Sequence, residues 1–284
     1  MSPIPTVAII APGNMGAGIG QRLTENKLTV LTTLAGRSEA SAKRARNAGM
    51  KAVDERQLTE ADILLSIVPP GEALALAQRL APQFAAANRK PIYVDCNAVS
   101  PDTMTRIADV IAGAGAPFVC AGIIGPPPKP GAINTKIYAS GPHAPELAKL
   151  NDYGLIVRVL DGSLTAASAL KMSYAGITKG FTALGAAMML AAARQGSASA
   201  LKTELAESQA TLLSWLTRQT PSMYGKAYRW VAELDEIAAF VGKDHDEAAM
   251  LSAAARLYER FAADYEGDKN EIGKLDRFLD RLIQ

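Results

Sequence analysis

Residues 6–20, TVAIIAPGNMGAGIG, constrain the chain more than any other stretch: a run of β-branched and aliphatic residues passes directly into a glycine-rich turn and then a helical pattern. A strand delivering its end into a helix N-terminus is the first half of a βαβ unit, and it aims unpaired backbone N–H groups at any anion beyond the strand. The spacing is Ala11-x-Gly13-x-x-Gly16, the dinucleotide-binding fingerprint with alanine in place of its first glycine. Gly13, Asn14, Met15 and Gly16 are therefore candidate cofactor contacts. The competing reading is a glycine turn that serves helix–strand packing alone.

The pattern that follows supports the βαβ reading. Short aliphatic runs over 6–11, 29–34, 63–68, 92–96, 118–121 and 136–140 read as strands, several of them continuously apolar, as strands covered on both faces should be. Helical stretches over 16–25, 39–48, 71–84 and 101–114 fall between them, which predicts a parallel sheet. After Ser140 the strand signals largely stop. From Ser163 the chain reads as helix nearly to its end: 164–194, 199–217, 224–241, 246–264 and a charged tail. The expected architecture is an α/β N-terminal Rossmann domain over 1–162, followed by an all-α C-terminal domain over 163–284 that begins with one long interdomain helix. Asp161, Gly162 and Ser163 supply turn chemistry at the boundary, with Ser163 as an N-cap. A helix of about 30 residues spans roughly 45 Å and is apolar on most faces, so it needs partners on several sides, either from this chain or from a second subunit. A homodimer is the hypothesis that follows.

Composition removes other classes. Thirty Lys+Arg against 28 Asp+Glu give a formal net charge of +2, too near neutral for nucleic acid or an anionic membrane to be a main partner. Two Cys and two His leave too few soft ligands for a zinc or iron–sulfur site, so no metal is expected. Cys96 and Cys120 lie in apolar runs and read as small buried hydrophobes in a reducing compartment, with no disulfide. The N-terminus lacks the pattern of a signal peptide, and the apolar run over 180–193 is too short to cross a bilayer, so a cytoplasmic protein is expected.

The end of the second strand separates the nicotinamide cofactors. NAD sites place a carboxylate there for the ribose 2′-hydroxyl, and NADP sites an arginine for the 2′-phosphate. This chain has Arg37 with Ser38 beside it and no acid before Glu39, which favours NADP(H) and counts against S-adenosylmethionine. The alternative is that Arg37 is an ordinary exposed loop arginine.

Taken together, several segments resemble the β-hydroxyacid dehydrogenases related to 6-phosphogluconate dehydrogenase, the 3-hydroxyisobutyrate dehydrogenase-like group. The resemblance rests on Ala11 to Gly16 with Met15, on Gly36-Arg37-Ser38, on Ser66-Ile67-Val68-Pro69, on Val94-Asp95-Cys96-Asn97 followed by Ser100-Pro101, and on Lys171. It implies an N-terminal domain that binds nicotinamide cofactor and C-terminal helices that complete the substrate site. It also implies that Val68, Pro69 and Asn97 lie near the nicotinamide. For Pro69 a strand terminator is an equally good reading.

Lys171 stands in ALKMSYA, an otherwise apolar helical stretch, where desolvation should lower its pKa unless it reaches solvent, fitting it for proton exchange. The resemblance places the family's catalytic lysine at this position; an exposed helix lysine is the alternative. Tyr174 and Thr178 lie within about 60° and 20° of it on a helical wheel and are candidates for the same wall, Tyr174 as a second proton donor. Lys179, rotated about 80°, is expected on the surface or in a subunit contact.

Two departures from the family pattern bear on the substrate. Ala175 stands where K-x-x-x-N has its asparagine, and Ile124-Gly125-Pro126 replaces the S-G-G loop that binds a carboxylate. A larger or less polar substrate than a small hydroxyacid is implied, held by Gly122, Ile123, Ile124 and Gly125 through backbone donors. The stretches from Gly122 to Pro127 and from Ile137 to Gly141 also resemble the imine reductases, which reduce C=N with NADPH. In RWVAELDE, Trp230 and Glu233 are candidates for lining the pocket, against a core tryptophan and a solvated carboxylate; His245 reads as part of a charged turn. The leading expectation is an NADP(H)-dependent dehydrogenase or reductase acting on a small organic molecule. Imine reduction and a non-catalytic NADP-binding regulator remain as alternatives.

Overall fold

The computed structural model describes residues 4–129, 134–242 and 244–280, so Pro130 and Gly131 of the stretch GPPPKPG over 125–131, and Lys243, lie outside the described residues. The chain divides into two compact units, Met1–Met172 and Ser173–Gln284. The division falls inside the long helix and not in the turn before it.

The first unit is built on one sheet of β1 (Thr6–Ile10), β2 (Thr29–Thr32), β3 (Lys51–Ala52), β4 (Ile63–Ser66), β5 (Ile92–Asp95), β6 (Phe118–Ile124), β7 (Lys136–Ser140) and β8 (Val157–Val159), in the order 3-2-1-4-5-6-7-8. Strands β3 to β6 run parallel, and the order reverses between β1 and β4, the topological switch point of a doubly wound sheet. Helices α1 (Asn14–Glu25), α2 (Glu39–Asn47), α3 (Ala73–Ala86), α4 (Pro101–Gly113) and α5 (Ala144–Ala148) connect the strands. The alternation of strand side chains assigns Val7, Ile9, Leu65 and Val94 to the core on one face, and Ala8, Ile10, Leu64 and Tyr93 to the core on the other. Burying each large aliphatic side chain stabilises the fold by roughly 1.5–3 kcal/mol.

The sheet corrects the sequence reading in three places, the first being the two-residue β3, whose exposed residues give no apolar run. Strand β7 runs antiparallel to β6, because only residues 125–135 separate them, too few for a helical crossover. Strand β8 extends the sheet past Ser140 by pairing parallel with β7, although Arg158 and Val159 are exposed and give it no apolar run.

Helix α6 (Ala166–Arg194) is anchored at its start by the first unit. Ser140 Oγ accepts from the Ala167 amide at 3.0 Å and donates to the Leu164 carbonyl at 2.7 Å, and Ser168 Oγ donates to the Val99 carbonyl at 2.5 Å. The capping oxygen thus comes from β7, whereas the Ser163 hydroxyl faces that of Thr165 at 3.4 Å. Among the described residues α6 is long and apolar enough to cross a membrane by length and composition, with 44% of its apolar window buried. The expectation of a run too short to span a bilayer counted only its second half.

The second unit continues α6 and adds α7 (Ala198–Ser208), α8 (Ala210–Met223), α9 (Ala227–Val241), α10 (Asp246–Glu266) and α11 (Asn270–Phe278). The single helix expected over 199–217 is two, separated at Gln209, whose φ and ψ of −140° and 44° leave the helical region. Gly176 and Gly185 let α6 pack closely against Ile237 of α9 and Leu216 of α8.

Candidate functional site

The glycine turn is explained by close approach at one position and openness at the other. A Cβ on Gly16 would stand 2.2 Å from the Ala11 carbonyl oxygen, so that glycine is required for α1 to start against the end of β1. A Cβ on Gly13 would meet nothing within 4 Å, so packing does not dictate its missing side chain, and an outside group can approach the backbone there. Gly13 is the N-cap of α1 and brings no side-chain acceptor, and the first-turn amides of a helix have no intrahelical partner. Exposed Asn14 and partly exposed Met15 flank this opening, and no acidic side chain sits in the turn. These features fit a pyrophosphate.

At the end of β2, Gly36 adopts φ +69° and turns the chain so that Arg37, partly exposed, follows the strand. Ser38 caps α2, its hydroxyl accepting from the Ser41 amide at 3.3 Å. Sequence reasoning missed Arg44 in this cluster. Its Nε donates to the Pro12 carbonyl at 3.1 Å and its Nη2 to Ser41 Oγ at 2.9 Å, tying α2 to the glycine turn. Nothing in the sequence separates Arg44 from Lys43 or Arg46; only the turn of α2 faces it inward.

Beyond β4 and β5 a buried polar network forms. The Val68 amide donates to Asn97 Oδ1 at 2.7 Å, Asn97 Nδ2 donates to Ser66 Oγ at 2.9 Å, and the Asn97 amide donates to Asp95 Oδ1 at 2.9 Å. Asn97 is 3% exposed, so its side chain organises the strand ends, while Val68 is partly exposed and Pro69 exposed on the loop that follows. Asp95 is fully buried, and burial pushes its carboxyl up to about 7 despite hydrogen bonds from Asn97 that pull the other way. Burial likewise raises the Cys96 thiol, and it pushes that of Cys120 up to about 12, which leaves both in the unreactive thiol form near neutral pH.

Lys171 closes this edge. A Cβ on Gly122 would lie 2.8 Å from the Ala167 carbonyl oxygen, so the glycine allows α6 to cross β6 at short range, and Lys171 Nζ donates to the Ile123 carbonyl. Gly122 and Ile123 are buried, whereas Ile124 is partly exposed and Gly125 exposed at the turn out of β6. From there the loop heads toward α1, where Arg22 Nη2 donates to the Lys129 carbonyl at 2.9 Å.

The remaining candidates belong to the second unit. Tyr174 is 49% exposed, and the Thr178 hydroxyl donates to the Tyr174 carbonyl at 2.9 Å within the helix. Lys179 is not on the surface as expected: it is 7% exposed, its Nζ lies 2.6 Å from Glu233 Oε2 and 5.4 Å from the Trp230 ring centroid. Trp230 also meets Tyr258 edge to face at 5.1 Å, and the Tyr258 hydroxyl donates to the Lys179 carbonyl at 2.7 Å. Trp230 and Glu233 thus hold a buried lysine inside the helical unit, an arrangement that spacing could not foresee because it joins α6 to α9. His143 and Glu146 face each other at 3.8 Å on the surface, away from these groups in sequence and element.

Comparison with known proteins identifies the N-terminal domain and the fold. Residues 6–150 match the NAD binding domain of 6-phosphogluconate dehydrogenase, and residues 192–261 match a domain of unknown function, DUF1932. An uncharacterised 28.5 kDa protein of Methanothermus fervidus is 32% identical over 180 residues, 63% of this chain and 67% of its own. The structure of the conserved protein MTH1747, of unknown function and described as similar to 3-hydroxyacid dehydrogenases, is 27% identical, covers 95% of this chain and 99% of its own, and has a TM-score of 0.73. The 3-hydroxyisobutyrate dehydrogenase of Mycobacterium tuberculosis shares the fold at 19% identity and a TM-score of 0.73 over 93% of this chain and 95% of its own. An imine reductase of Myxococcus stipitatus shares it at 16% and 0.55, over 97% and 100%.

Proposed function

Because the chain belongs to the family defined by the NAD binding domain of 6-phosphogluconate dehydrogenase, we propose that it is an NADP(H)-dependent oxidoreductase acting at a carbon that bears a hydroxyl or carbonyl group. The observation that carries the reading is Lys171, held on the Ile123 carbonyl at the same edge of the sheet as Asn97 and Val68. Bound nicotinamide supplies the hydride or takes it up. Gly13 and the first-turn amides of α1 would hold the pyrophosphate, and Arg37, with Arg44 and Ser38 nearby, would take a 2′-phosphate. Lys171 holds a proton at Nζ and passes it to, or takes it from, the substrate oxygen, while the Ile123 carbonyl fixes the direction of its N–H bonds. The strand end at Gly122, Ile123, Ile124 and Gly125 would orient the substrate.

A second reading, reduction of C=N, has one observation in its favour. Ala175 is 4% exposed and gives the helix no polar group one turn after Lys171, whereas half-exposed Tyr174 offers a phenol for an imine nitrogen. Assaying aldehydes, ketones and cyclic imines with NADPH on Lys171→Ala and Tyr174→Phe separates the two. Carbonyl chemistry predicts a loss of about 10²–10⁴-fold in turnover from Lys171→Ala with NADPH affinity kept. A selective loss in Tyr174→Phe with imines would transfer the assignment, and nucleotide binding with no turnover on any substrate would favour a regulatory protein.

The proposal includes a cytoplasmic homodimer. Tyr174, Ile177, Phe181, Leu184 and Met188 are each about half exposed and recur at intervals of three and four along α6. At roughly 100 Å² each they present about 500 Å² of contiguous apolar surface, most of what one partner contributes to a stable interface. Helix α7 has no buried residue, which leaves it too without a covering layer in a single copy. A second copy of the same stripe, repeated with heptad spacing, is the occupant proposed.

A further inference from the structure

One buried carboxyl of the first unit is a group that the proposed chemistry does not use. Asp95 is fully buried at the end of β5, and while its Oδ1 accepts the Asn97 amide, its Oδ2 is buried with no hydrogen-bond partner. An unpartnered carboxylate oxygen in an apolar interior strongly disfavours the charged form. Through Asn97 this carboxyl is two hydrogen bonds from the Val68 amide, and through the Asn97 side chain it reaches Ser66 on β4. The titratable groups around it are Tyr93 on β5, Cys96 just past its end and Cys120 on β6, all pushed toward their neutral forms by burial and by Asp95 itself; Lys171 of α6 acts on Cys96, and Arg79 of α3 acts on Tyr93.

The strand order fixes what lies beyond. With the 2′-phosphate end at β2 and the pyrophosphate at β1, a dinucleotide crossing the switch point leaves its nicotinamide end over β4 and β5. We propose that Asp95 is a positioning residue for that end: it sets Asn97, Asn97 sets the Val68 amide and the loop after β4, and the gain or loss of one proton on Asp95 is felt there. This rests on the dinucleotide reading above. The ionised carboxylate takes the Asn97 amide in a charge-assisted bond; the protonated one keeps only a neutral bond. The same negative charge favours the cationic ring of NADP⁺ over neutral NADPH.

The test follows the Val68 and Asn97 backbone amide resonances of the ¹⁵N-labelled full chain from pH 5.5 to 8.5, with NADP⁺ and NADPH affinities measured at both ends. Expected are titrations of both amides with a midpoint near 7, and a tightening of NADP⁺ relative to NADPH on the order of fivefold as pH rises. Both effects should vanish in Asp95→Asn. If that variant does not fold, Asn97→Ala should leave the Val68 amide flat while the Asn97-position amide still titrates. Flat amides in the wild type, or the same midpoint in Asp95→Asn, would overturn the proposal. Titrating amides in a chain that binds neither nucleotide would overturn the role toward cofactor and, separately, the dinucleotide reading.

Discussion

A Cβ on Gly122 would stand 3.1 Å from the Cβ of Lys171, so the lysine reaches the sheet edge only because strand β6 has no side chain there. The same missing atom clears the Ala167 carbonyl, which lets the first turns of α6 lie on the strand. Gly122→Ala must therefore move backbone. The expected result is a loss of about 1–3 kcal/mol in denaturant unfolding, together with a fall in turnover larger than any change in nucleotide affinity. Unchanged stability and activity would show that α6 does not sit this closely.

Arg37 and Arg44 predict the cofactor preference. Removing Arg37 alone should weaken NADPH binding by about tenfold or more and leave NADH binding within about twofold, because only the 2′-phosphate distinguishes them. Arg44→Ala should weaken both, since it also releases the Pro12 carbonyl of the glycine turn. Fluorescence titration of the two variants with both nucleotides checks this, and equal losses of NADPH and NADH from Arg37→Ala would remove the arginine from the cofactor site.

For the α6 stripe, Leu184→Asp and Phe181→Glu should convert a dimer to a monomer in sedimentation equilibrium, as each places a charge in the middle of the shared apolar surface. A wild type that is monomeric at micromolar concentration would exclude the second copy as occupant. Wild-type partition into phosphatidylcholine vesicles, lost in the same variants, would point to a lipid surface.

Asp95 makes stability depend on pH with a definite sign. Its carboxyl is raised from 3.8 to about 7 by burial, so the folded state holds the proton more tightly than the unfolded one. The resulting stabilisation is fully present below about pH 4 and is lost as pH rises through about 7. Between pH 5.5 and 8.5 the loss should be about 2 kcal/mol in urea unfolding, and Asp95→Asn should show a smaller slope over that window. Parallel slopes for the two proteins would mean that Asp95 keeps an ordinary carboxyl.

The strand, turn and first helix were legible in residues 6–20, because close packing of α1 on β1 demands glycine at Gly16, and the run of aliphatic residues into a glycine-rich turn is a local pattern. Arg37 and Lys171 stood out as candidates for a similar reason: a cation at a strand end or inside an apolar helix differs from its neighbours. A carboxylate ending the strand IYVD carried the same kind of signal for Asp95, but its meaning depended on what surrounds Oδ2, and that comes from other strands. Arg44, the Ser140 cap of α6 and the Lys179–Glu233–Trp230 cluster join residues 27 or more positions apart. The sequence by itself determined the local elements, the glycine turn and the separation of α/β from helical halves, since propensity, periodicity and turn chemistry act over a few residues. Only the tertiary structure decided the antiparallel β7, which buried groups share hydrogen bonds, and which face of α6 is left apolar and exposed, because those outcomes depend on desolvation and packing among segments that meet only in the folded chain.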